Sequence, residues 1–253
     1  MSRLLVRRPS PELVRGELTH AERVPVDAAL AYAQWERYVD AFRSRGWTVT
    51  EVEPADAHPD GVFVEDALIA FDDLIVVCRA GAATRRGEAA TAADAAARLG
   101  LATVAITAPG TVEGGDVLKV GRTVHVGASS RTNAEGIAQL RHLLEPRGWT
   151  VVEIPVTKVL HLKSAVTALP DGTIIGYEPL VDDPGLWPRF LPVPEAHGCA
   201  VVVLDDTSVL LSADAPRTSA LLTERGLTVV PTPVAEFEKL EGCVTCLSVR
   251  IRG

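Results

Sequence analysis

Two cysteines three positions apart, Cys243 and Cys246 in "LEGCVTCLSVRIRG", raise the first chemical question of this sequence. Such a pair can be half of a metal knuckle, a redox dithiol, or a nucleophile with a neighbour. The segment reads as a β-run, in which side chains three apart point to opposite faces. The two thiols are therefore expected apart, with Cys243 a small buried or flanking residue. A structural zinc needs four ligands, and neither Cys78 nor Cys199 has a partner at knuckle spacing. A thioredoxin-like dithiol opens a helix, and no helical pattern follows here. What remains is a nucleophilic thiol, Cys246, which requires a base within reach and a positive charge that favours its thiolate.

His161 in "VLHLKS" is the candidate base, and carboxylates come from Asp60 in "AHPDGVF", Glu65 and Asp66 in "FVEDA", and Glu113 in "VEGGDVL". Each has a plainer reading: a satisfied structural histidine, an Asx-turn residue, a loop acid with which Asp116 competes. A shared register lifts them above it. Glu113 lies thirteen positions after Gly100, His161 thirteen after Gly148, and Asp60 fourteen after Gly46. Carboxylates beside a thiol raise its pKa, so the set makes sense around a cationic substrate. A planar guanidinium fits, since it donates paired hydrogen bonds to carboxylates. "ATRRGE", "SSRTNA" and "APRTSA" place Arg85, Arg131 and Arg217 at comparable positions, where two of them could clamp a substrate carboxylate.

The elements that position these residues repeat. "RSRGWTVTEVEP" at Gly46 recurs as "EPRGWTVVEIPV" at Gly148 and "TERGLTVVPTPV" at Gly226, with weaker copies at Gly100 and Gly198. In each, a helix is predicted to end at a glycine that can take positive φ, and a β-branched strand begins. Helices are predicted over 27–45, 86–99, 133–144 and 217–225. A loop and a hairpin complete each unit, as in "GDVLKVGRTVHVGA" and "SAVTALPDGTIIGYE", so about fifty residues repeat five times. The last unit lacks one strand, which the N-terminal "RLLVRRP" can supply. The economical architecture is an α/β ring closed by pairing of the N- and C-terminal strands, one domain over residues 1–253. The alternative is an ordinary open α/β sheet.

Composition bounds the partners. The 253 residues are 47% hydrophobic and 23% charged, enough for a sizeable core. A formal net charge of -8 speaks against nucleic acid and suits cationic ligands. No apolar run is long enough for a membrane span, and no secretory signal is recognised. Four scattered cysteines suggest a reducing, cytoplasmic setting.

Taken in order, "DGVFVEDA", "ATRRGE", "VEGGDVL", "SSRTN", "HLKSAV" and "VTCLSV" resemble the dimethylarginine dimethylaminohydrolase family of guanidine-modifying enzymes, from about Leu18 to the C-terminus. The resemblance implies the five-bladed α/β propeller, or pentein fold, of strand–strand–helix–strand repeats. It implies Cys246 as nucleophile, His161 as general acid and base, and Glu113 orienting His161 or holding the guanidinium alongside Asp66. Asp60 would support that polar cluster, Arg85 and Arg131 would bind the substrate α-carboxylate, and Glu65 would be a further substrate contact. Leu18 falls where the family has a mobile flap whose backbone carbonyl can meet the substrate amine. Some relatives have Asp at the position of Glu113, and others a cysteine at that of Leu247. The implied reaction hydrolyses asymmetric dimethylarginine or monomethylarginine to L-citrulline and dimethylamine or methylamine through a covalent thiouronium. No metal or organic cofactor is expected, and the chain is expected to be a monomer or homodimer. Arginine deiminase chemistry would use the same residues but usually brings extra helical sequence. A non-catalytic, ribosome-binding propeller would not need Cys246, His161, Glu113 and the two arginines.

Overall fold

Four glycines set the rhythm of the chain. Gly46, Gly100, Gly148 and Gly226 take φ of 76°, 74°, 77° and 88°. This left-handed conformation, open to a residue without Cβ, ends a helical segment and lets a strand begin at once. The computed structural model describes residues 2–252. Strand β1 (Arg3–Val6) is followed by helix α1 (Ala28–Arg43) and β2 (Thr48–Glu51). Next come β3 (Leu68–Phe71), β4 (Leu74–Val77), α2 (Ala89–Arg98) and β5 (Ala102–Ala105), then β6 (Val117–Val120), β7 (Thr123–Ala128), α3 (Ala134–Leu144) and β8 (Thr150–Pro155). The chain continues with β9 (Val166–Ala168), β10 (Ile174–Gly176) and β11 (Phe190–Pro192). It ends with β12 (Val201–Val203), β13 (Ser208–Ser212), α4 (Pro216–Glu224), β14 (Thr228–Thr232), α5 (Ala235–Glu238) and β15 (Val249–Ile251).

These strands form five three-stranded sheets among the described residues, each with an antiparallel inner pair and a parallel outer pair. The fold is a five-bladed α/β propeller. Ring closure is as expected: Arg3 of β1 stands opposite Ile251 of β15 and Thr48 of β2, so both chain ends share one blade. The inner strands β15, β3, β6, β9 and β12 surround an axial cavity of about 410 Å³. Before each of them the chain makes a tight turn: Val64–Asp66, Gly114–Asp116, Leu162–Ser164, Ala196–Cys199 and 244–247. These turns ring one end of the axis.

Three expectations are corrected. The β9–β11 blade has only 3-10 turns where the others have an α-helix, Glu178–Leu180 and Pro184–Leu186. Gly198 is not a helix-ending glycine. It lacks positive φ, packs against Thr218, and precedes the first strand of a blade instead of the third. Most of "GCVTCLSV" is not strand, because it supplies the turn that every blade needs before its inner strand. The Cys246 N–H donates to the Cys243 carbonyl at 3.1 Å, and only Val249–Ile251 pairs.

Helix α1 seals the closing blade. Its N-cap Asp27 accepts from the Leu30 N–H, and Ala31, Trp35, Tyr38, Val39 and Phe42 fall on one buried face. Burying each large side chain contributes about 1.5–3 kcal/mol. Tyr38 also shares a hydrogen bond of 2.7 Å with Ser248, two residues beyond Cys246. Arg7, fully buried just after β1, donates to the carbonyls of Glu53, Gly61 and Glu88 and so ties the walls of the turn ring together. Tyr38→Phe should lower the unfolding free energy by about 1 kcal/mol in chemical denaturation. An unchanged midpoint would show that this bond does not brace the Cys246 turn.

Candidate active site

Backbone amides fix the acids before any side chain meets another. The Gly115 N–H donates to Asp66 Oδ1 at 2.9 Å, and the Leu162 N–H donates to Asp116 Oδ1 at 2.9 Å. The Glu65 N–H donates to the Cys246 carbonyl at 3.2 Å. Four of the five turns are thus bonded in series, and the register inferred for Glu113 and His161 is real: each stands just before the turn of its blade. Asp60 does not share that register, since it precedes the Val64–Asp66 turn by several residues. It reaches the cleft through its own loop.

The centre is a buried charge cluster. His161 Nε2 donates to Glu113 Oε2 at 2.7 Å, with Asp66 Oδ1 at 4.0 Å. The Gly81 and Ala82 N–H groups donate to the other oxygen of Glu113 at 3.0 and 3.4 Å. Arg85 grips Glu88 with two bonds of 3.0 and 2.9 Å and donates to Asp66 Oδ2 at 2.9 Å. Burial alone would push His161 down, but the charge of Asp66 and the hydrogen bond to Glu113 raise its pKa to about 9. Glu113 and Asp66 are buried as well, yet His161 and Arg85 hold both below the ordinary carboxylate range. The facing ligand atoms of Asp66, Glu113 and His161 lie within 4.8 Å of one another, a spacing that a metal ion could use. Those atoms are already committed to Arg85, to the Gly115 N–H and to each other.

Cys246 lines the same cleft as Asp60, Asp66, Arg85, Arg131 and His161. Its thiol pKa is raised well above the usual value, first by its contact with Cys243 and then by burial, with Glu65 and Asp66 adding to the effect. The separation of the two thiols expected from strand alternation does not hold. In the observed turn their Sγ atoms stand 3.4 Å apart.

The remaining expected residues divide. Asp60 Oδ2 accepts from the Glu17 N–H at 3.0 Å, anchoring the segment that carries Leu18. Arg131 lies 3.4 Å from Glu17 Oε2, 3.0 Å from the Thr19 hydroxyl and 3.7 Å from Glu113 Oε1. Arg85 is engaged more deeply, on acids alone apart from a 3.4 Å bond to the Asp60 carbonyl. Arg217 starts α4, its N–H bonded to Glu195, and does not line the cleft. The Glu65 side chain faces away from it into the axial cavity, where Lys163 at 2.6 Å and Arg250 at 2.5 Å hold one oxygen. Its carboxylate does not line the cleft and acts there only as a nearby charge on Cys246, so a direct contact with a substrate is not supported by the fold.

Glu241 was not foreseen. It adopts φ of 60° on the loop leading to Cys246, and its carboxylate accepts from the N–H groups of Thr19, His20 and Ala21 at 2.6, 2.7 and 3.0 Å. With Glu17 on Arg131, it latches the Leu18 segment over a cleft of about 20 Å³, room for little more than a water. Glu17 and Glu241 both line this cleft, so the Leu18 segment borders the space in front of Cys246.

Three outcomes follow from this geometry. Glu241→Ala should speed hydrogen exchange at Thr19, His20 and Ala21 about tenfold, matching the ~1.5 kcal/mol of an amide–carboxylate bond; unchanged exchange would remove the latch. Gly115→Ala would set a Cβ 2.6 Å from His161 Nδ1 and 3.0 Å from Asp66 Oδ1, and should break the His161–Glu113 bond with a loss of about 1–3 kcal/mol in stability. His161 holds its proton more tightly folded than unfolded, so its stabilisation is complete below ~6.5 and is lost as pH rises through about 9. Imidazole NMR should show it charged at neutral pH, and a midpoint near the ordinary ~6.5 would contradict the assigned charges.

No family model matches the chain. It is 56% identical over 248 residues to the N(G),N(G)-dimethylarginine dimethylaminohydrolase of Streptomyces coelicolor, covering 98% of this chain and 96% of that protein. It is 32% identical over 250 residues to the N(G),N(G)-dimethylarginine dimethylaminohydrolase of Pseudomonas aeruginosa, 98% of each chain. The solved structure of a Pseudomonas aeruginosa mutant complexed with citrulline superposes with a TM-score of 0.92 at 31% identity, covering 98% of both chains. A dimethylarginine dimethylaminohydrolase adduct with S-methyl-L-thiocitrulline gives the same TM-score, 0.92, over 98% of this chain and 99% of that one. Among the described residues no helix is long and apolar enough to cross a membrane. On this identity over nearly its whole length, the chain belongs to the dimethylarginine dimethylaminohydrolase family.

Proposed function

We propose that the chain hydrolyses N-omega-methylated L-arginine to L-citrulline and dimethylamine or methylamine. The observation that carries this reading is a buried thiol, Cys246, in one cleft with Asp66 and a charged His161. It is reinforced by the near full-length relatives that bear this activity in their names.

The free thiol is held protonated by its neighbours. A guanidinium docked against Asp66, within reach of Glu113, supplies the missing positive charge and lets the thiolate form, its proton passing to solvent because His161 is already charged. The sulfur of Cys246 adds to the central guanidinium carbon. The tetrahedral intermediate then expels the methylated amine, which takes its proton from His161, an imidazolium at neutral pH. The now neutral His161 deprotonates a water that attacks the thiouronium carbon. Collapse breaks the C–S bond, the hydroxyl proton passes to the departing sulfur, and the urea group of citrulline and the Cys246 thiol remain. Glu113 keeps the imidazole oriented through both transfers.

At the other end of the substrate, Arg131 receives the α-carboxylate in exchange for Glu17, with Arg85 behind it on the same wall. Asp60 holds the Glu17 N–H at the base of the flap, and in this reading the Leu18 carbonyl meets the α-amine of the substrate. The whole reaction uses one small-molecule substrate within one propeller domain.

Parallel assays of asymmetric dimethylarginine, monomethylarginine and arginine, reading citrulline, test the assignment. Methylated substrates should be turned over, and Cys246→Ser should reduce that turnover by roughly 10³-fold or more. Turnover of arginine alone would reassign the chain to deiminase chemistry, and an active Cys246→Ser would remove the nucleophile.

A further inference from the structure

The turn that carries Cys246 holds a second thiol for which the proposed reaction has no use. The Cys246 N–H bonds to the Cys243 carbonyl at 3.1 Å, and the Cys243 N–H points at the Cys246 sulfur at 3.4 Å. The two Sγ atoms are themselves 3.4 Å apart. A hydrogen-bonded four-residue turn keeps its end Cα atoms within ~7 Å, the span a disulfide tolerates. Closing the S–S bond to ~2.05 Å then asks for a shift that side-chain torsions can supply. Cys246 opens onto the cleft, and Cys243 is half-buried beside it. Of the other cysteines, Cys199 is buried with its thiol donated to the Ser164 carbonyl at 3.1 Å, and Cys78 is buried in another blade.

We infer that Cys243 and Cys246 form an oxidative modification site, which hydrogen peroxide converts into an intramolecular disulfide that withdraws the Cys246 sulfur from reaction. One sulfur, as its thiolate, attacks the peroxide O–O bond, gains one oxygen as a sulfenic acid and releases hydroxide. The second thiolate displaces hydroxide from that sulfur and the S–S bond forms. The peroxide is reduced, both thiols are oxidised, and their two protons leave in two molecules of water. The contact with Cys246 lowers the Cys243 thiol pKa to about 7, so one thiolate of the pair is present near neutral pH. A dithiol reductant reverses the step by exchange. The neighbour also protects, because a lone oxidised Cys246 would proceed to sulfinic acid, which such reductants do not restore.

That oxidation stops turnover rests on the reading of Cys246 as nucleophile; the disulfide itself rests on the turn alone. The test treats the full chain with hydrogen peroxide, maps peptides by mass, and assays dimethylarginine hydrolysis before and after dithiothreitol. The expected result is a loss of two hydrogens, a Cys243–Cys246 crosslink, and lost activity that dithiothreitol returns almost fully. Cys243→Ser and Cys243→Ala should keep basal turnover, add oxygen at Cys246 under peroxide, and recover little activity with dithiothreitol. Two results would overturn the inference: oxygen addition without crosslink in the unsubstituted chain, or a crosslink from Cys243 to Cys199. Because mass mapping reads the disulfide whatever the role of Cys246, and turnover of reduced Cys246→Ser reads the nucleophile, the two failures are distinguishable.

Discussion

Charges buried around one arginine are the constraint on which the rest of this structure depends. Arg85 meets Glu88 on one side and Asp66 on another, with Glu113 at 3.8 Å, and His161 closes the cluster from the next blade but one. An ion taken from water unpaired costs several kcal/mol, and removing one partner of a buried pair typically costs 3–5 kcal/mol. No member can therefore be lost alone without leaving an uncompensated charge. The cluster acts as a unit that joins four loops, and its net balance decides that His161 carries a proton.

The propeller suits this demand because its turns converge at one end of the axis and bond to one another through backbone amides. Those amides orient Asp66, Asp116 and Glu113 before the charges meet, so the acids are set by main chain rather than by flexible side chains. Thr132 and Ser129, which both donate to Asp116 at 2.7 Å, extend this support behind His161. The covering segment is built the opposite way. Its ties to Glu241 are exposed amide–carboxylate bonds, and its ties to Arg131 are a long ion pair of 3.4 Å from Glu17 and one hydrogen bond of 3.0 Å to the Thr19 hydroxyl. Such bonds are weakened by water and salt, whereas the cluster beneath is shielded from both. A rigid floor and a releasable cover thus arise from the same kinds of side chain at different depths.

Much of this was legible in the sequence. Glycine-ended helices gave four of the five blades and the closure by both chain ends, because a helix stop followed by β-branched residues is a local signal. The copy at Gly198 misled, since its strand opens a blade instead of finishing one. Matched offsets from the turn glycines found Glu113 and His161, but not the facing of Glu65, whose partners Lys163 and Arg250 lie far along the chain. The Cys243–Cys246 turn was read as strand because Val244 and Thr245 favour β structure, and tertiary need overrode that preference. Glu88 carries a faint signal, three residues after Arg85 on one helical turn. Glu17 and Glu241 carry none, as each acts through partners that only the folded ring brings near.

One consequence of the charge cluster concerns selectivity. A nucleophilic thiol is usually activated by a neighbouring cation, yet here the Cys243 contact and burial, with Glu65 and Asp66 adding to them, oppose ionisation of Cys246. The chain's own cations do not relieve this, since Arg85 is spent on carboxylates and His161 on Glu113 and Asp66. The thiolate is then favoured only while an external cation occupies the cleft. A neutral urea such as citrulline lacks that charge, so the product does not sustain the nucleophile that formed it. Activation and recognition become one electrostatic event, set by carboxylates that would otherwise look misplaced beside a reactive sulfur.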